Sequence, residues 1–340
     1  KCMSDILNKL TKKITENQIL PADQMTAGFD EMMEGKASPV QMAAFLIALK
    51  MRGEAPSDIA AGAGSLRRHA LTLDAPDNAM DIVGTGGDGI GTYNISTATA
   101  LVLAGAGIPI AKHGNKAVSS KSGAADVLTA LGINLDCSEE ALSEALTAAK
   151  IVFLMAPRHH SAMRHVGPIR AELGVRTIFN LLGPLSNPAL VRRILVGVFD
   201  ARWLQPFAEA LRTLGTTDAF IVHGADGLDE LSTTGSNQIT VLKDGQISET
   251  TLHPSDLSLP TASLTDIKGG SAEENATALR ELLSGKEGPY RNIVLMNAAA
   301  AFVAGGHEKE MAVGLERARR SIDTKAAKSA LDKLISITNK

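Results

Sequence analysis

The residues 81–89 carry four glycines, and the hydroxyls of Ser96 and Thr97 follow shortly after them. Glycine lets a backbone approach a bulky anion and turn its N–H groups toward it, and a helix N-terminus adds more N–H groups. The spacing is neither that of a Walker loop nor G-x-G-x-x-G, which disfavours ATP and dinucleotides as ligands. We call residues 84–89 the glycine loop. Its anion-binding interpretation competes with a purely structural glycine turn capped by Ser or Thr.

A second segment, residues 112–123, holds three lysines and three serines and no acid. We call it the basic segment. In a chain of net charge -3, such local basicity suits a phosphate or pyrophosphate group. A solvated basic turn is the alternative. Two anion-type loops on successive predicted strands favour the ligand interpretation, because parallel strands end at one edge of a sheet, where ligands bind.

The third segment is the acidic loop, residues 224–230, which also follows a predicted strand. Asp229 and Glu230 are adjacent carboxylates, and Mg²⁺ commonly takes one or two carboxylates together with substrate phosphates. Taken alone, such a loop could simply be solvated. Together the three segments supply donors for a diphosphate and ligands for its metal, whereas no Ser/His/Asp or Cys/His arrangement for nucleophilic catalysis stands out.

The elements that must position these loops change character along the chain. The first 70 residues have helical periodicity, and Ser38, Pro39 and Gln41 predict a capped helix start. Short apolar runs then alternate with helical segments, which is typical of a mainly parallel α/β sheet. The predicted strands are 81–83, 109–112, 152–155, 194–198 and 219–223. Predicted helices between them are 96–103, 123–131, 138–149 and 204–214.

Two further regions complete the predicted architecture. Residues 238–251 have the pattern of a hairpin that turns at residues 243–245, and the last third is helical again. Residues 158–186, rich in Arg and His, fit either helices that return to the N-terminal region or one long active-site connection. We therefore predict a small all-helical domain, 1–72, with a returning helical segment at about 160–190. A larger α/β domain, 73–340, would hold a central, mainly parallel sheet.

The composition excludes several classes. Aromatic residues make up 3% of the chain, which disfavours base-stacking platforms for single-stranded nucleic acid. Two cysteines, Cys2 and Cys137, form neither a metal motif nor a disulfide framework. The apolar runs are too short to span a bilayer, and no signal-peptide pattern follows the first residues. We expect a cytoplasmic protein without membrane or nucleic-acid partners.

Several motifs in order resemble the anthranilate phosphoribosyltransferases of tryptophan biosynthesis. The similar segments span the chain, and they are residues 84–88, 94–97, 112–123, 180–188 and 226–230. The resemblance implies a helical domain joined to an α/β domain, a homodimer formed through the helical domain, and two Mg²⁺ ions per active site. It implies transfer of the phosphoribosyl group of phosphoribosyl pyrophosphate (PRPP) to the amine of anthranilate, the second step of tryptophan synthesis from chorismate.

The resemblance also implies roles for individual residues. Ser96, Asp229 and Glu230 would bind the metal ions, and Gly84, Asn115 and Arg170 would contact anthranilate. His113 would lie nearby as a possible catalytic residue, although no acid or base is assigned. The PRPP site would comprise Gly84, Gly87, Asp88, Thr92, Asn94, Ile95, Ser96, Thr97, Lys112, His113, Gly114, Asn115, Lys116, Ala117, Val118, Ser119, Ser120 and Ala124. For Arg170, an ordinary surface salt bridge is the alternative role.

Two positions depart from the family pattern. Members often have Ser where this chain has Ala124, and Arg where it has Lys116. Ala124 would offer a phosphate only its backbone N–H, and Lys116 keeps the charge without the planar fork of arginine.

Two other functions fit less well. A pyrimidine nucleoside phosphorylase would use inorganic phosphate and would not need the carboxylate pair Asp229 and Glu230. A non-catalytic relative that binds nucleic acid would have an extended basic surface and eroded PRPP motifs. The negative net charge and the intact motifs favour the transferase.

Overall fold

The computed structural model describes residues 5–115 and 123–340. Within these ranges the chain forms helices packed around a single seven-stranded sheet. The helices are α1 (Asp5–Thr15), α2 (Ala22–Met33), α3 (Pro39–Arg52), α4 (Pro56–Arg68), α5 (Ile95–Gly105), α6 (Ala124–Ala130), α7 (Glu139–Glu144), α8 (Ala156–His159), α9 (Gly167–Leu173), α10 (Phe179–Leu182), α11 (Leu204–Thr213), α12 (Ala272–Leu283), α13 (Pro289–Ala304), α14 (Met311–Asp323) and α15 (Ala326–Thr338). The strands are β1 (Met80–Gly84), β2 (Ile110–Gly114), β3 (Ile151–Met155), β4 (Arg193–Gly197), β5 (Asp218–His223), β6 (Asn237–Lys243) and β7 (Gln246–Leu252).

Helices α1–α4 form the helical unit. The predicted start of α3 is confirmed, since the Ser38 hydroxyl accepts from the Gln41 N–H and the Gln41 side chain accepts from the Ser38 N–H. This reciprocal pair satisfies two of the backbone donors that a helix start leaves open. The apolar stripe of α3, from Met42 to Leu49, is buried in the core that includes the other three helices.

The sheet confirms the predicted parallel α/β architecture. Its strand order is β3-β2-β1-β4-β5-β6-β7, and the first five strands are parallel. Each predicted strand starts and ends within two residues of the observed one. β1 is the middle one of the five parallel strands. Because parallel strands end at the same edge of a sheet, the residues that follow β1, β2, β4 and β5 gather there.

The predicted hairpin is also present. β6 and β7 pair antiparallel and extend the sheet beyond β5. Asp244 and Gly245 connect them with φ of 50° and 75°, and left-handed conformations at both turn positions match the twist of paired strands.

Side-chain alternation gives the sheet two apolar faces. On β4, Ile194 and Val196 belong to the core that includes the helical unit and α11, whereas Leu195 belongs to the core that includes α5 and α13. Period-two alternation places successive side chains on opposite faces. The helical unit is thereby packed on one side of the same sheet whose edge carries the loops.

Residues 158–186, which the sequence left open, form short helices, and we call them the connecting segment. Val166, Ile169 and Phe179 are buried in the core that includes the helical unit. The boundary between residues 72 and 73 stays a prediction. None of the described helices has the length and apolar character needed to cross a bilayer.

Candidate active site

The glycine loop runs from the end of β1 toward α5, as predicted. Gly86, Gly87 and Gly89 of the loop, and Gly91 just after it, have φ between 68° and 79°. Side chains with a Cβ rarely adopt this left-handed region, so the path of the loop requires glycine at these positions.

Several donors of this loop are left over for a ligand. The N–H groups of Gly87, Asp88 and Gly89 have no hydrogen-bond partner among residues 5–115 and 123–340. The Thr97 hydroxyl is buried in the first turn of α5, and it too lacks a partner within those ranges. A buried hydroxyl such as that of Thr97 is normally hydrogen-bonded, and the N–H groups of Gly87, Asp88 and Gly89 lie on residues that are only partly buried or exposed. Together these donors indicate a place for an anion.

The acidic loop closes onto the glycine loop and the start of α5. Asp229 Oδ2 accepts a hydrogen bond of 2.6 Å from the Gly86 N–H. Glu230 Oε1 accepts one of 2.9 Å from the Ser96 N–H. Two of the three segments singled out in the sequence therefore meet at the carboxyl edge of the sheet.

This approach depends on glycines at the strand ends. A Cβ at Gly84 would lie 2.2 Å from Asp229 Oδ2, and one at Gly197 would lie 1.5 Å from the Asp229 carbonyl oxygen. A Cβ at Gly224 would lie 2.1 Å from the Glu230 carbonyl oxygen. Sequence analysis did not single out Gly197, although a glycine inside a predicted strand is a signal of close backbone approach.

Lys112 brings the start of the basic segment into the same cluster. Lys112 is the middle residue of β2 and is buried, and its ammonium donates to the Ile82 carbonyl and to the Ser96 hydroxyl at 3.1 Å. Burial lowers the pKa of Lys112, while the nearby Asp81, Glu230 and Asp229 carboxylates act in the opposite direction.

The pKa values of both carboxylates of the acidic loop, Asp229 and Glu230, are raised. Burial, followed by the charge of Asp88, raises the pKa of Asp229 to about 7. Burial, followed by the charge of Asp229, raises the pKa of Glu230 well above its ordinary value. Glu230 Oε2 is buried without a hydrogen-bond partner in the described part of the chain, so an added cation would relieve both effects.

A magnesium ion fits this donor set. Ser96, Asp229 and Glu230 offer only oxygen, which is what Mg²⁺ prefers. Within the described ranges no three His, Cys, Asp or Glu side chains form a metal cluster. The protein would thus supply part of the coordination shell, with the remainder left to water and substrate oxygens, as is usual for Mg²⁺ bound with phosphates.

His113 lies beside Lys112 and is also buried. Its Nδ1 contacts the Gly183 carbonyl at 3.1 Å, and because a carbonyl only accepts, Nδ1 must carry the proton. Nε2 is then the basic nitrogen, and it has no partner in the described ranges. Burial, followed by His160 with its ring 5.1 Å away, lowers the pKa of His113 to about 3.

A buried carboxylate, that of Asp81, holds β2 in place. Asp81 accepts from the His113 N–H at 3.2 Å and from Asn187 Nδ2 at 2.7 Å. Asn187 also donates to the Ala111 carbonyl at 2.8 Å. Residues 180–188 were recognised as a motif, and the structure shows a physical reason for Asn187, which ties that motif to β1 and β2.

The other predicted contacts are dispersed around this cluster. Arg170 lies on α9 with its guanidinium carbon 5.4 Å from the Phe179 ring centre, and burial lowers the pKa of Arg170. Its role toward anthranilate stays a prediction. Gly114 ends β2, Asn115 follows it, and Ala124 begins α6. The predicted PRPP contacts that lie outside the described residues are Lys116, Ala117, Val118, Ser119 and Ser120.

A second set of contacts holds the stretch between the glycine loop and α5. Thr92 forms an antiparallel bridge with Lys268, and the Asn94 carbonyl accepts from the buried Tyr290 hydroxyl at 3.2 Å. The Ile95 side chain is buried in the core, so only its backbone could face a ligand. Sequence analysis missed Lys268 and Tyr290, because they lie 176 and 196 residues further along the chain than their partners Thr92 and Asn94.

Comparison with known proteins agrees with this geometry. Residues 5–70 match the model for the glycosyl transferase family, helical bundle domain, and residues 76–328 match that for the glycosyl transferase family, a/b domain. The chain is 52% identical over 327 residues to the anthranilate phosphoribosyltransferase of Parvibaculum lavamentivorans, covering 96% of each.

Two solved structures resemble the whole chain. The anthranilate phosphoribosyltransferase of Thermus thermophilus superposes with a TM-score of 0.92 at 42% identity, covering 97% of this chain and 99% of that one. The Saccharomyces cerevisiae enzyme in complex with PRPP and Mg superposes with a TM-score of 0.90 at 30% identity, covering 100% and 99%.

The helical unit, the parallel sheet and the loops at its carboxyl edge make this chain a glycosyl transferase. Within that class, it belongs to the anthranilate phosphoribosyltransferase family, since its similarity to members extends over nearly the whole length of both chains.

Proposed function

We propose that this protein transfers the 5-phosphoribosyl group of PRPP to the amine of anthranilate, giving N-(5-phosphoribosyl)anthranilate and pyrophosphate. The observation that carries the proposal is the meeting of Gly86, Ser96 and Lys112 with the Asp229–Glu230 pair at one edge of the sheet. That arrangement combines anion donors with metal-type oxygens, which is what a metal-bound diphosphate leaving group needs.

Mg²⁺ would be held by Ser96, Asp229 and Glu230, with two ions per active site. When bound, it would neutralise the charge that develops on the departing diphosphate. Glu230 Oε2, which is buried and has no hydrogen-bond partner among residues 5–115 and 123–340, supports a cation at this place. The match to a relative solved with PRPP and Mg supports the identity of the ion.

The chain's own donors would hold PRPP. The glycine-loop N–H groups that have no partner among the described residues, together with the Thr97 hydroxyl in the first turn of α5, would bind phosphate oxygens. The remaining PRPP contacts, in the basic segment up to Ser120 and at Ala124, stay as predicted from the family pattern.

Anthranilate would bind between the connecting segment and the sheet edge, with Arg170 facing its carboxylate and Gly84 and Asn115 beside it. As the nitrogen–C1 bond forms, the bond from C1 to the diphosphate oxygen breaks and one amine proton is released. An aryl amine is already neutral, and His113, with a pKa of about 3, is a weak base. Orientation of the amine and electrostatic stabilisation would therefore supply most of the rate enhancement.

The assembly and location follow the family pattern as further proposals. The protein would form a homodimer through the helical unit, whose apolar Val40 and Met51 are about four-fifths exposed at 78% and 80%. An interface formed by the helical unit would remove these side chains from water. It would act in the cytoplasm on small molecules, without nucleic-acid or membrane partners.

A fluorescence assay of anthranilate consumption tests the activity. With PRPP, Mg²⁺ and anthranilate present, the signal should decay, and omission of any one component should stop it. Thymidine phosphorolysis is run in parallel on the same preparation. Phosphorolysis without anthranilate consumption would contradict the proposal and favour the nucleoside phosphorylase alternative.

A further inference from the structure

Arg176 joins three parts of the molecule at the edge of the active site. Its Nη2 donates to the Gly87 carbonyl at 2.5 Å, and its guanidinium carbon lies 4.4 Å from the centre of the Phe199 ring. Its own carbonyl accepts from Lys50 Nζ, on α3 of the helical unit, at 2.8 Å. Arg176 belongs to the connecting segment, so one residue contacts the glycine loop, the residue two beyond β4, and the helical unit.

The contact between Arg176 and Gly87 restrains the glycine loop. Gly87 is one of the glycines with positive φ, and its N–H is among the donors left for a ligand. A glycine-rich loop loses more conformational entropy on ordering than other sequences. A loop already held through its carbonyl has less entropy to lose when the diphosphate binds, and so binds it more tightly.

The ring under the guanidinium is itself fixed to this loop. The Phe199 N–H donates to the Thr85 hydroxyl at 3.1 Å, and the Thr85 N–H donates to the Gly197 carbonyl at 2.9 Å. A planar guanidinium can stack on the ring and donate in its own plane to Gly87 at the same time. A lysine ammonium keeps the charge but cannot reproduce this flat, directional contact.

We propose that Arg176 is a positioning residue that holds the glycine loop in its PRPP-binding conformation and joins that loop to the helical unit. The inference rests on the proposed function of the site. This role requires the planar shape of the guanidinium as well as its charge. A side chain that only attracted PRPP by its positive charge would not need that shape.

The test compares Arg176→Gln, Arg176→Lys and Phe199→Leu with the wild-type protein. We measure KM for PRPP, KM for anthranilate, kcat, and hydrogen–deuterium exchange of residues 84–89 without ligand.

Arg176→Gln should raise KM for PRPP roughly tenfold, the size expected for loss of a charge-assisted hydrogen bond and a stacking contact. KM for anthranilate should change by less than about twofold, because the loop holds PRPP, and amide exchange in the glycine loop should accelerate. Phe199→Leu should also raise KM for PRPP and accelerate amide exchange in the glycine loop. Arg176→Lys should restore little of the wild-type KM for PRPP or of the wild-type exchange rate.

Arg202→Gln is the matched control, since Arg202 stacks on Trp203 at 5.0 Å without contacting the glycine loop. It should leave all four quantities unchanged. Full recovery by Arg176→Lys, or unchanged loop exchange in Arg176→Gln, would overturn the positioning role. If the wild-type protein itself neither binds PRPP nor consumes anthranilate, the proposed function fails instead, so the two failures are distinguishable.

Discussion

Burial, more than ion pairing, sets the charge states of the side chains at the edge of the sheet. His113 and His160 are buried side by side, and burial lowers their pKa values to about 3 and about 4. Asp81 is buried as well, and its pKa is raised to about 6. None of this could be predicted from residue types alone, because a pKa depends on which side chains the fold brings together.

A pH series of unfolding tests the charge state of His160. A histidine whose folded pKa lies below its unfolded value stabilises the fold fully above about pH 6.5, and the stabilisation is lost as pH falls toward the folded value of about 4. In that window the unfolded chain takes up a proton that the folded chain does not. His160 should therefore contribute a loss of up to about 1.4 kcal/mol per pH unit.

The wild-type slope alone is not diagnostic, because the raised pKa of Asp81 acts in the opposite direction between about pH 4 and 6. The measurement is the free energy of unfolding by urea, for wild type and His160→Gln, at a series of pH values from about 7.5 down to about 4.5, which spans the window between the two pKa values. The difference between the two proteins should change below about pH 6.5, with the wild type losing more stability on acidification. Parallel curves would show that His160 titrates normally in the fold.

At the scale of elements, the strand ends carry the chemistry. The order of strands and helices was predictable, because apolar periodicity and turn residues are local signals. The capping box at Ser38, the hairpin turn at Asp244 and the glycine loop after β1 were all visible in this way. The contact of the acidic loop with the sheet edge could not be predicted from local signals. It depends on Gly197 leaving room for the backbone of Asp229, which lies much further along the chain.

Gly197→Ala is therefore expected to lower activity strongly, although it adds only one methyl group. The new methyl group would lie 1.5 Å from the Asp229 carbonyl oxygen, so the acidic loop must move away from the glycine loop. We expect kcat/KM for PRPP to fall at least about a hundredfold, as for other small displacements of catalytic groups.

Gly167→Ala is the matched control, because a Cβ at Gly167 meets nothing within 4 Å and its φ is ordinary. That variant should keep wild-type kinetics. Circular dichroism of both proteins checks that the fold is retained. A Gly197→Ala protein with unchanged kcat/KM would show that the acidic loop need not sit against β4.

At the scale of the whole molecule, two cores share one sheet. The helical unit, the connecting segment and α11 cover one face, and α5, α13 and their neighbours cover the other. The sequence predicted both the helical unit and the sheet from periodicity. It could not tell how they pack, because contacts such as that between Lys50 and Arg176 have a separation of 126 residues and no local signature.

The central claim is that the glycine loop, Lys112 and the Asp229–Glu230 pair bind one metal-bound diphosphate. Isothermal titration calorimetry of PRPP, with and without Mg²⁺, tests it most directly. The comparison uses wild type, the double variant Asp229→Asn/Glu230→Gln, and the exposed adjacent pair Glu139→Gln/Glu140→Gln as control. Wild type and control should bind PRPP more tightly by at least about tenfold, or about 1.4 kcal/mol, when Mg²⁺ is present, and the Asp229→Asn/Glu230→Gln protein should lose that difference. Equal Mg²⁺ dependence in all three proteins would contradict the account.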